Sequence, residues 1–270
     1  MSLITLTTDF GIDDEYVGIM KGVIMSLNPS AVIIDITHHI DPQDLVQAAY
    51  TIYSSYRYFP KGTVHVIVVD PTVGSDRKII AFKLSDHTFL APDNGVLSLL
   101  IKNNSENISS ITSIDNSRYF LNPVSHTFHG RDIFAPVSAH LSLGVPINKL
   151  GTSVLKNKLV YLSVSDPYFS DNGELVGSIV STDHFGNLIT NIHLNDLEKI
   201  DIALSHKKLS INVGTCIISG LSSNYTSVIS GHPLAVIGSR GYLEISVNGG
   251  NAAKHFMVEK GDHIRISTLK

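Results

Sequence analysis

One cysteine, Cys216, stands in 270 residues. A single thiol excludes a disulfide framework and a cysteine-rich metal site, and it fits a reducing compartment. Charge is also scarce. Asp, Glu, Lys and Arg make up 16% of the chain against 43% apolar residues, which excludes a disordered chain and a coiled coil. The formal net charge is only −4, so no global attraction draws the protein to nucleic acid or an anionic membrane. No apolar run reaches membrane-spanning length. The first twenty residues lack Lys and Arg, so the basic start of a signal peptide is missing. Internal repeats and low-complexity tracts are absent as well. What remains is the expectation of a soluble cytoplasmic protein with no nucleic-acid or membrane partner, built as one large domain or two smaller ones.

What is present begins with strands that run into aspartates. Ile4 to Thr8 ends at Asp9, Val32 to Ile34 at Asp35, and Val64 to Val69 at Asp70. Helical spacing follows the first two: Tyr16, Ile19, Met20, Val23, Ile24 and Leu27, then Leu45, Ala48, Ala49, Ile52 and Tyr56 in a helix starting near Pro42. Strand–helix–strand repeats predict an α/β domain with a mainly parallel sheet, whose ligands lie beyond the carboxyl ends of the strands. Three aspartates there read as an acidic rim around a small-molecule site, since unpaired carboxylates make poor core residues. The plainer reading is that one or two of them cap helices or close turns.

Further strands are predicted at Ile79 to Leu84 and near Phe89, then a short helix through Val96 to Ile101 and another helical stretch after Arg131. Beyond about Asp166 the pattern changes to short strands between turn residues: Glu174 to Ser181, Leu188 to Ile192, Lys208 to Val213, Leu234 to Ile237, Leu243 to Val247 and His263 to Ile266. That reads as an all-β domain. The polar cluster of Ser163 to Asn172 places the boundary between an N-terminal domain, residues 1–165, and a C-terminal domain, residues 172–270.

Five polar segments carry the chemistry. TTDFGIDDEYVG (Thr7 to Gly18) places Asp9 and Asp14 near a helix start. A carboxylate pair suits ribose hydroxyls or an ammonium group and repels phosphate, and no Gly-rich loop with Lys is present to cradle one. VVDPTVGSDR (Val68 to Arg77) returns Arg77 toward Asp70, either as a working pair or as a surface ion pair of little worth. FHGRDIFAP (Phe128 to Pro136) gathers His129, Arg131 and Asp132 around Gly130. DHFGNLITN (Asp183 to Asn191) offers Asn187, a donor and acceptor fit for an adenine edge. SRGYLEISVNGGNAA (Ser239 to Ala253) is by itself only a Gly-rich hairpin.

Taken in order, with DITH at Asp35 to His38 as a sixth, these motifs resemble the S-adenosyl-L-methionine hydroxide adenosyltransferase family. These are adenosine-forming S-adenosylmethionine hydrolases, related to fluorinating and chlorinating enzymes that use the same substrate. The resemblance runs over nearly the whole chain. It implies a C-terminal β-barrel-like domain and a homotrimer whose sites lie between neighbouring subunits. It implies catalytic roles for Asp70, Arg77 and His129, and a ribose contact for Asp9. Methionine and adenine contacts fall to Asp183, Phe185, Asn187, Ser239 and Arg240, with Asn248 and Ala252 helping to close the pocket. Hydrolase relatives often carry an aromatic residue where this chain has Arg240, and halogenating relatives carry arginine. The Asp70–Arg77–His129 set favours hydrolysis. The implied reaction uses no cofactor and no metal: water attacks the 5′ carbon and methionine leaves as a neutral thioether.

Two rivals stand beside that reading. One is a metal hydrolase built on His38, His39, Asp41, His129 and Asp132, although no tight ligand motif such as HExxH is present. The other is a regulator that binds adenosine or S-adenosylmethionine in the same pocket without turnover.

Overall fold

A computed structural model describes residues 2–108, 110–163, 165–199 and 209–268. The chain divides into two compact units, Met1–Ser163 and Val164–Lys270.

In the first unit, β1 (Leu3–Thr8), α1 (Tyr16–Leu27), β2 (Val32–Thr37), α2 (Leu45–Ser55) and β3 (Val64–Val68) form two strand–helix–strand crossovers. The sequence then changes its habit. β4 (Ile79–Leu84) and β5 (His87–Pro92) are joined by a two-residue turn at Ser85 and Asp86, and a turn that short allows only antiparallel pairing. After α3 (Ser98–Asn103) come β6 (Ile111–Ile114), α4 (Ala135–Ser142) and β7 (Gly151–Val154). The sheet order is β2-β1-β3-β5-β4-β6-β7. Pairs β1–β2, β1–β3 and β3–β5 are parallel; β4–β5, β4–β6 and β6–β7 are antiparallel. The sheet is therefore mixed, not mainly parallel as expected, because only its first half is wound by crossover helices.

Apolar clusters cover both faces of the sheet. Met20 and Ile24 of α1 and Val137 of α4 pack on Ile4, Leu6, Val64 and Val66. Ile52 of α2 and Leu100 of α3 pack with Ile67, Phe82 and Phe89. α1 buries Val17, Met20 and Ile24, while Tyr16 and Leu27, expected on its apolar face, are exposed. α2 starts after Asp44, whose side chain accepts from the Gln47 amide at 2.9 Å. The stretch after Arg131 opens with one π-helical turn, Gly130–Phe134. β6 and β7, four residues each, had no sequence pattern long enough to show them.

The rim of three aspartates becomes a rim of two. β2 continues through Asp35 to Thr37, and Asp35 pairs with Lys21 at 2.6 Å and His38 at 3.0 Å. Asp9 and Asp70 follow the ends of β1 and β3, which are neighbours in parallel.

Buried histidines span this sheet. His65 of β3 meets Thr5 Oγ1 at 2.8 Å through Nδ1 and His87 Nδ1 at 3.1 Å through Nε2, and it stacks on Phe89 at 5.0 Å. Burial pushes the His65 pKa down to about 3 from 6.5. The unfolded chain therefore takes up a proton that the folded chain refuses. Stability from this group is complete above pH 6.5 and falls as pH drops toward 3. His87 is displaced in the same direction by its own burial. Urea midpoints measured across this window should fall steeply with acid, and His65→Asn should shallow that slope. An unchanged slope in the variant would show that other groups set it.

In the second unit, β8 (Tyr168–Phe169), β9 (Leu175–Thr182), β10 (Leu188–His193), α5 (Leu194–Glu198), β11 (Leu209–Val213), β12 (Cys216–Ser219), β13 (Pro233–Ile237), β14 (Tyr242–Val247), α6 (Ala252–Phe256) and β15 (His263–Thr268) follow in order. The sheet runs β12-β11-β15-β9-β10-β14-β13, all antiparallel, with β8 added beside β9. A bridge between Ser222 and Val236 brings its two ends together, so the sheet is nearly closed and barrel-like. Gly177 permits the close approach of β9 and β10: a Cβ there would lie 2.3 Å from Ile192 Cγ1. Lys208, the expected start of β11, lies outside the described residues. Among the described residues, no helix is long and apolar enough to cross a membrane.

Candidate active site

The first unit holds a cavity of about 470 Å³ at the ends of β1 and β3. Asp9, Asp70 and His129 line it together with Phe10, Tyr16 and Phe128. The three aromatic rings meet with centroids 5.1 to 6.0 Å apart, at tilted or edge-on angles, and form a common wall. Gly130 is wanted there because a Cβ would lie 3.0 Å from Phe128 and 3.2 Å from Met20 Sδ.

Asp9 is fixed from one side. Its Oδ2 accepts from the Gln43 amide at 2.8 Å, and Gln43 holds a left-handed φ of 66° to present that amide. Burial pushes the Asp9 pKa up, and the Gln43 amide works in the opposite direction. Asp14, expected beside Asp9, is exposed and does not line the cavity.

Asp70, Arg77 and His129 come together. Arg77 Nε donates to Asp70 Oδ2 at 2.7 Å, and Nη2 donates to the same oxygen. Nη2 also meets His129 Nδ1 at 2.9 Å. A guanidinium can only donate, so Nδ1 must accept, and the neutral ring carries its proton on Nε2. Burial lowers the His129 pKa, and the Arg77 charge lowers it further. The side chains of Asp70 and Arg77 are only 5% and 8% exposed. This is a shielded pair, unlike the surface pair that the sequence alone also allowed.

Two loops make that meeting possible. Gly74, at φ +81°, lies against the His126 carbonyl, which a Cβ would approach to 2.2 Å. The second loop is held by Asp132, which is 1% exposed and accepts from the Ser125 amide at 2.8 Å and from Arg131 at 2.6 Å. Asp132 thus anchors the segment that carries His129.

The second unit has its own cavity, of about 660 Å³, lined by Asp183, Phe185, Asn187, Ser239, Arg240 and Asn248 among others. Asp183 is spent on its own turn. Oδ1 accepts from the Phe185 and Asn187 amides at 2.9 and 2.8 Å, and Oδ2 from Asn187 Nδ2 at 2.9 Å. Asn187 keeps its carbonyl oxygen and a second N–H for a ligand. Asn248 Nδ2 donates to the Val228 carbonyl at 2.7 Å and pins the rim. Phe185 is 75% exposed. Ala252 departs from expectation: it is fully buried in the apolar core of this unit and does not line the cavity.

The five side chains of the metal alternative do not converge. His38 bonds Thr8 Oγ1 at 2.8 Å, His129 faces Arg77, and Asp132 holds Arg131. No cluster of three or more His, Cys, Asp or Glu suited to a metal occurs among the described residues.

Residues 4–151 match the SAM hydroxide adenosyltransferase N-terminal domain, and residues 177–265 match the C-terminal domain of the same family. The chain belongs to the SAM hydroxide adenosyltransferase family. Within it, the chain is 34% identical to an (R)-S-adenosyl-L-methionine hydrolase of Salinispora tropica, over 98% of this chain and 97% of the relative. A fluorinase of Nocardia brasiliensis is more distant, at 28% over 98% and 96%. The fold is similar to the crystal structure of a conserved protein from Thermotoga maritima, with a TM-score of 0.89 and 37% identity over 98% and 99% of the two chains.

Sequence reasoning missed Phe10, Tyr16, Gln43 and Phe128 in the first cavity and Tyr225 and Glu244 in the second. Phe10, Tyr16 and Phe128 lay inside motifs already marked, but read as framework. Glu244 was visible as a charged residue within a strand, LEISV, otherwise built to be buried.

Proposed function

We propose that the protein hydrolyses S-adenosyl-L-methionine to adenosine and L-methionine, without metal or cofactor, by in-line attack of water on the ribose 5′ carbon. The observation that carries this reading is the shielded Asp70–Arg77–His129 array on the wall of a cavity that also holds Asp9. Asp9 receives the ribose hydroxyls. The aromatic wall of Phe10, Tyr16 and Phe128 keeps bulk water from the reacting carbon.

Arg77 fixes the His129 ring, whose Nε2–H is then the donor that holds the attacking oxygen. That tautomer leaves His129 no lone pair with which to act as base. Asp70 is the acceptor: Oδ2 is taken by Arg77, while Oδ1 receives only a long 3.3 Å bond from Thr72. Water becomes acidic as its oxygen bonds to carbon, so a carboxylate suffices to take the proton. The C–S bond breaks with its electron pair on sulfur, and neutral methionine departs. Rigid holding of two reactants is worth up to roughly 7–11 kcal/mol. We propose further that the protein works in the cytoplasm as a homotrimer, with Asn187, Ser239 and Arg240 supplying nucleobase and methionine contacts.

The test is incubation with S-adenosyl-L-methionine in isotopically labelled water, followed by chromatography and mass spectrometry. Label should appear in the 5′-hydroxyl of adenosine. Methylthioadenosine as main product would overturn the reading. Chlorodeoxyadenosine in chloride buffer would make the protein a halogenase, the reading that Arg240 favours. Bound, unconverted substrate after hours with stoichiometric protein would make it a regulator.

A further inference from the structure

DITH, Asp35 to His38, is the marked motif to which the reaction above gives no task. His38 follows β2 directly and is only 4% exposed. It ties down the end of β1 at two points. Its ring meets Thr8 Oγ1 through Nδ1 at 2.8 Å, and its carbonyl accepts from the Gly11 amide at 2.8 Å. Between Thr8 and Gly11 stand only Asp9 and Phe10, the carboxylate assigned to the ribose and one ring of the aromatic wall. Two more bonds tighten the span. The Phe10 amide donates to Thr8 Oγ1 at 3.3 Å, and the Ile40 amide donates to the Thr8 carbonyl at 3.4 Å. Gly11 closes the turn at φ 69°, where a side chain would be strained.

The far side of the ring sets the direction of these bonds. His38 Nε2 lies 3.0 Å from Asp35 Oδ1, in a contact too bent for a full hydrogen bond. Burial works to raise the Asp35 pKa, but Lys21 and His38 outweigh it and hold the carboxyl below its ordinary value, so it is ionised. A lone pair on Nε2 would face that carboxylate at close range and be repelled, so Nε2 carries the proton. Nδ1 is then an acceptor, and the Thr8 hydroxyl must donate to it. The same hydroxyl keeps a lone pair for the Phe10 amide, so the chain from Lys21 through Asp35, His38 and Thr8 to Phe10 leaves no two donors or acceptors opposed. We infer that His38 is a positioning residue: acting through Thr8, it fixes the Asp9–Phe10 turn so that the Asp9 carboxylate meets the ribose hydroxyls already oriented. The Gln43 amide holds that carboxylate from its other side, and a group ordered beforehand costs less to order on binding. This rests on the hydrolase reading above and adds the residues that prepare its ribose contact.

The test titrates the full-length protein calorimetrically with adenosine or with 2′,3′-dideoxyadenosine, which lacks both ribose hydroxyls. Wild type should bind adenosine more tightly. Thr8→Val keeps the shape and removes the hydroxyl, and His38→Gln removes the Nδ1 acceptor. Each should weaken adenosine by about threefold to tenfold, as for a lost hydrogen bond, and leave the dideoxy compound unchanged. Thr8→Ser, which keeps the hydroxyl, should stay close to wild type. With S-adenosyl-L-methionine, KM should rise by a like factor in Thr8→Val and His38→Gln while kcat holds. No loss, equal loss for both nucleosides, or a loss in kcat alone would make His38 a structural support and overturn the inference. Wild type that does not distinguish the two nucleosides would overturn it too. The Thr8→Val and Thr8→Ser pair gives the answer even if His38→Gln does not fold. Adenosine formation by wild type is measured alongside. Its absence removes the hydrolase reading, whereas intact turnover without a hydroxyl-selective loss in the variants removes only the His38 assignment.

Discussion

Arg77→Ala and His129→Ala should each lower kcat by roughly 10²–10⁴-fold while shifting substrate affinity by only a few-fold. Both side chains are assigned to the attacking water, so their loss belongs in the chemical step. Arg77 carries two duties, since its guanidinium binds Asp70 and donates a hydrogen bond to His129 Nδ1. Removing it frees His129 to change tautomer and leaves a shielded carboxylate unpaired. Thermal unfolding must therefore accompany the kinetics, because breaking such a pair can cost about 3–5 kcal/mol. Asp70→Asn should reduce turnover as strongly, because it removes the proton acceptor. Asp9→Ala should instead weaken binding, which calorimetric titration separates from turnover. The His129 pKa is held below its ordinary 6.5 by burial and Arg77, so kcat should persist below that pH before protonation of the ring turns the Nδ1–Arg77 contact repulsive. Folded, near-normal turnover in the Arg77 and His129 variants would sink the assignment.

How far the sequence reached depends on how local each signal was. β1, α1 and α2 each follow from an apolar period within a few residues, and all three stand. The parallel sheet was extrapolated from two crossovers. It failed where the two-residue turn at Ser85 and Asp86 reversed the pairing, a point decided by turn length and not by apolar pattern. Asp35 was misplaced for a similar reason, because β2 runs three residues further than the run Val32 to Ile34 suggested. Asp70, Arg77 and His129 were legible through motif order, but their contact depends on Gly74 seated on the His126 carbonyl, a long-range fit that no local pattern encodes. Asp183 lines the second cavity and also clasps its own turn, a duty that the motif alone did not show. Ala252 was read from a Gly-rich segment, where α6 instead draws it into the core.

Co-expression of two inactive variants should restore part of the activity. Asp70→Asn damages only the cavity of the first unit, and Asn187→Ala only that of the second, since each cavity is lined by one unit alone. If, as proposed, a homotrimer builds each site from the first unit of one chain and the second unit of its neighbour, a mixed ring contains sites where the two intact halves meet. A ring of three requires a heterologous contact that closes, so every chain donates one half to each of two different sites. With equal expression and random assembly, about a quarter of sites should combine two intact halves. A site completed within a single chain predicts no gain, because every chain would carry one lesion in its own site. The measurement is adenosine formed per chain in tag-purified mixed assemblies, with each variant alone as the baseline. Activity no higher than the parents despite proven mixing, or an active species that sediments as a monomer, would remove the shared site and require Asp9 and Asn187 to serve the same substrate from one chain.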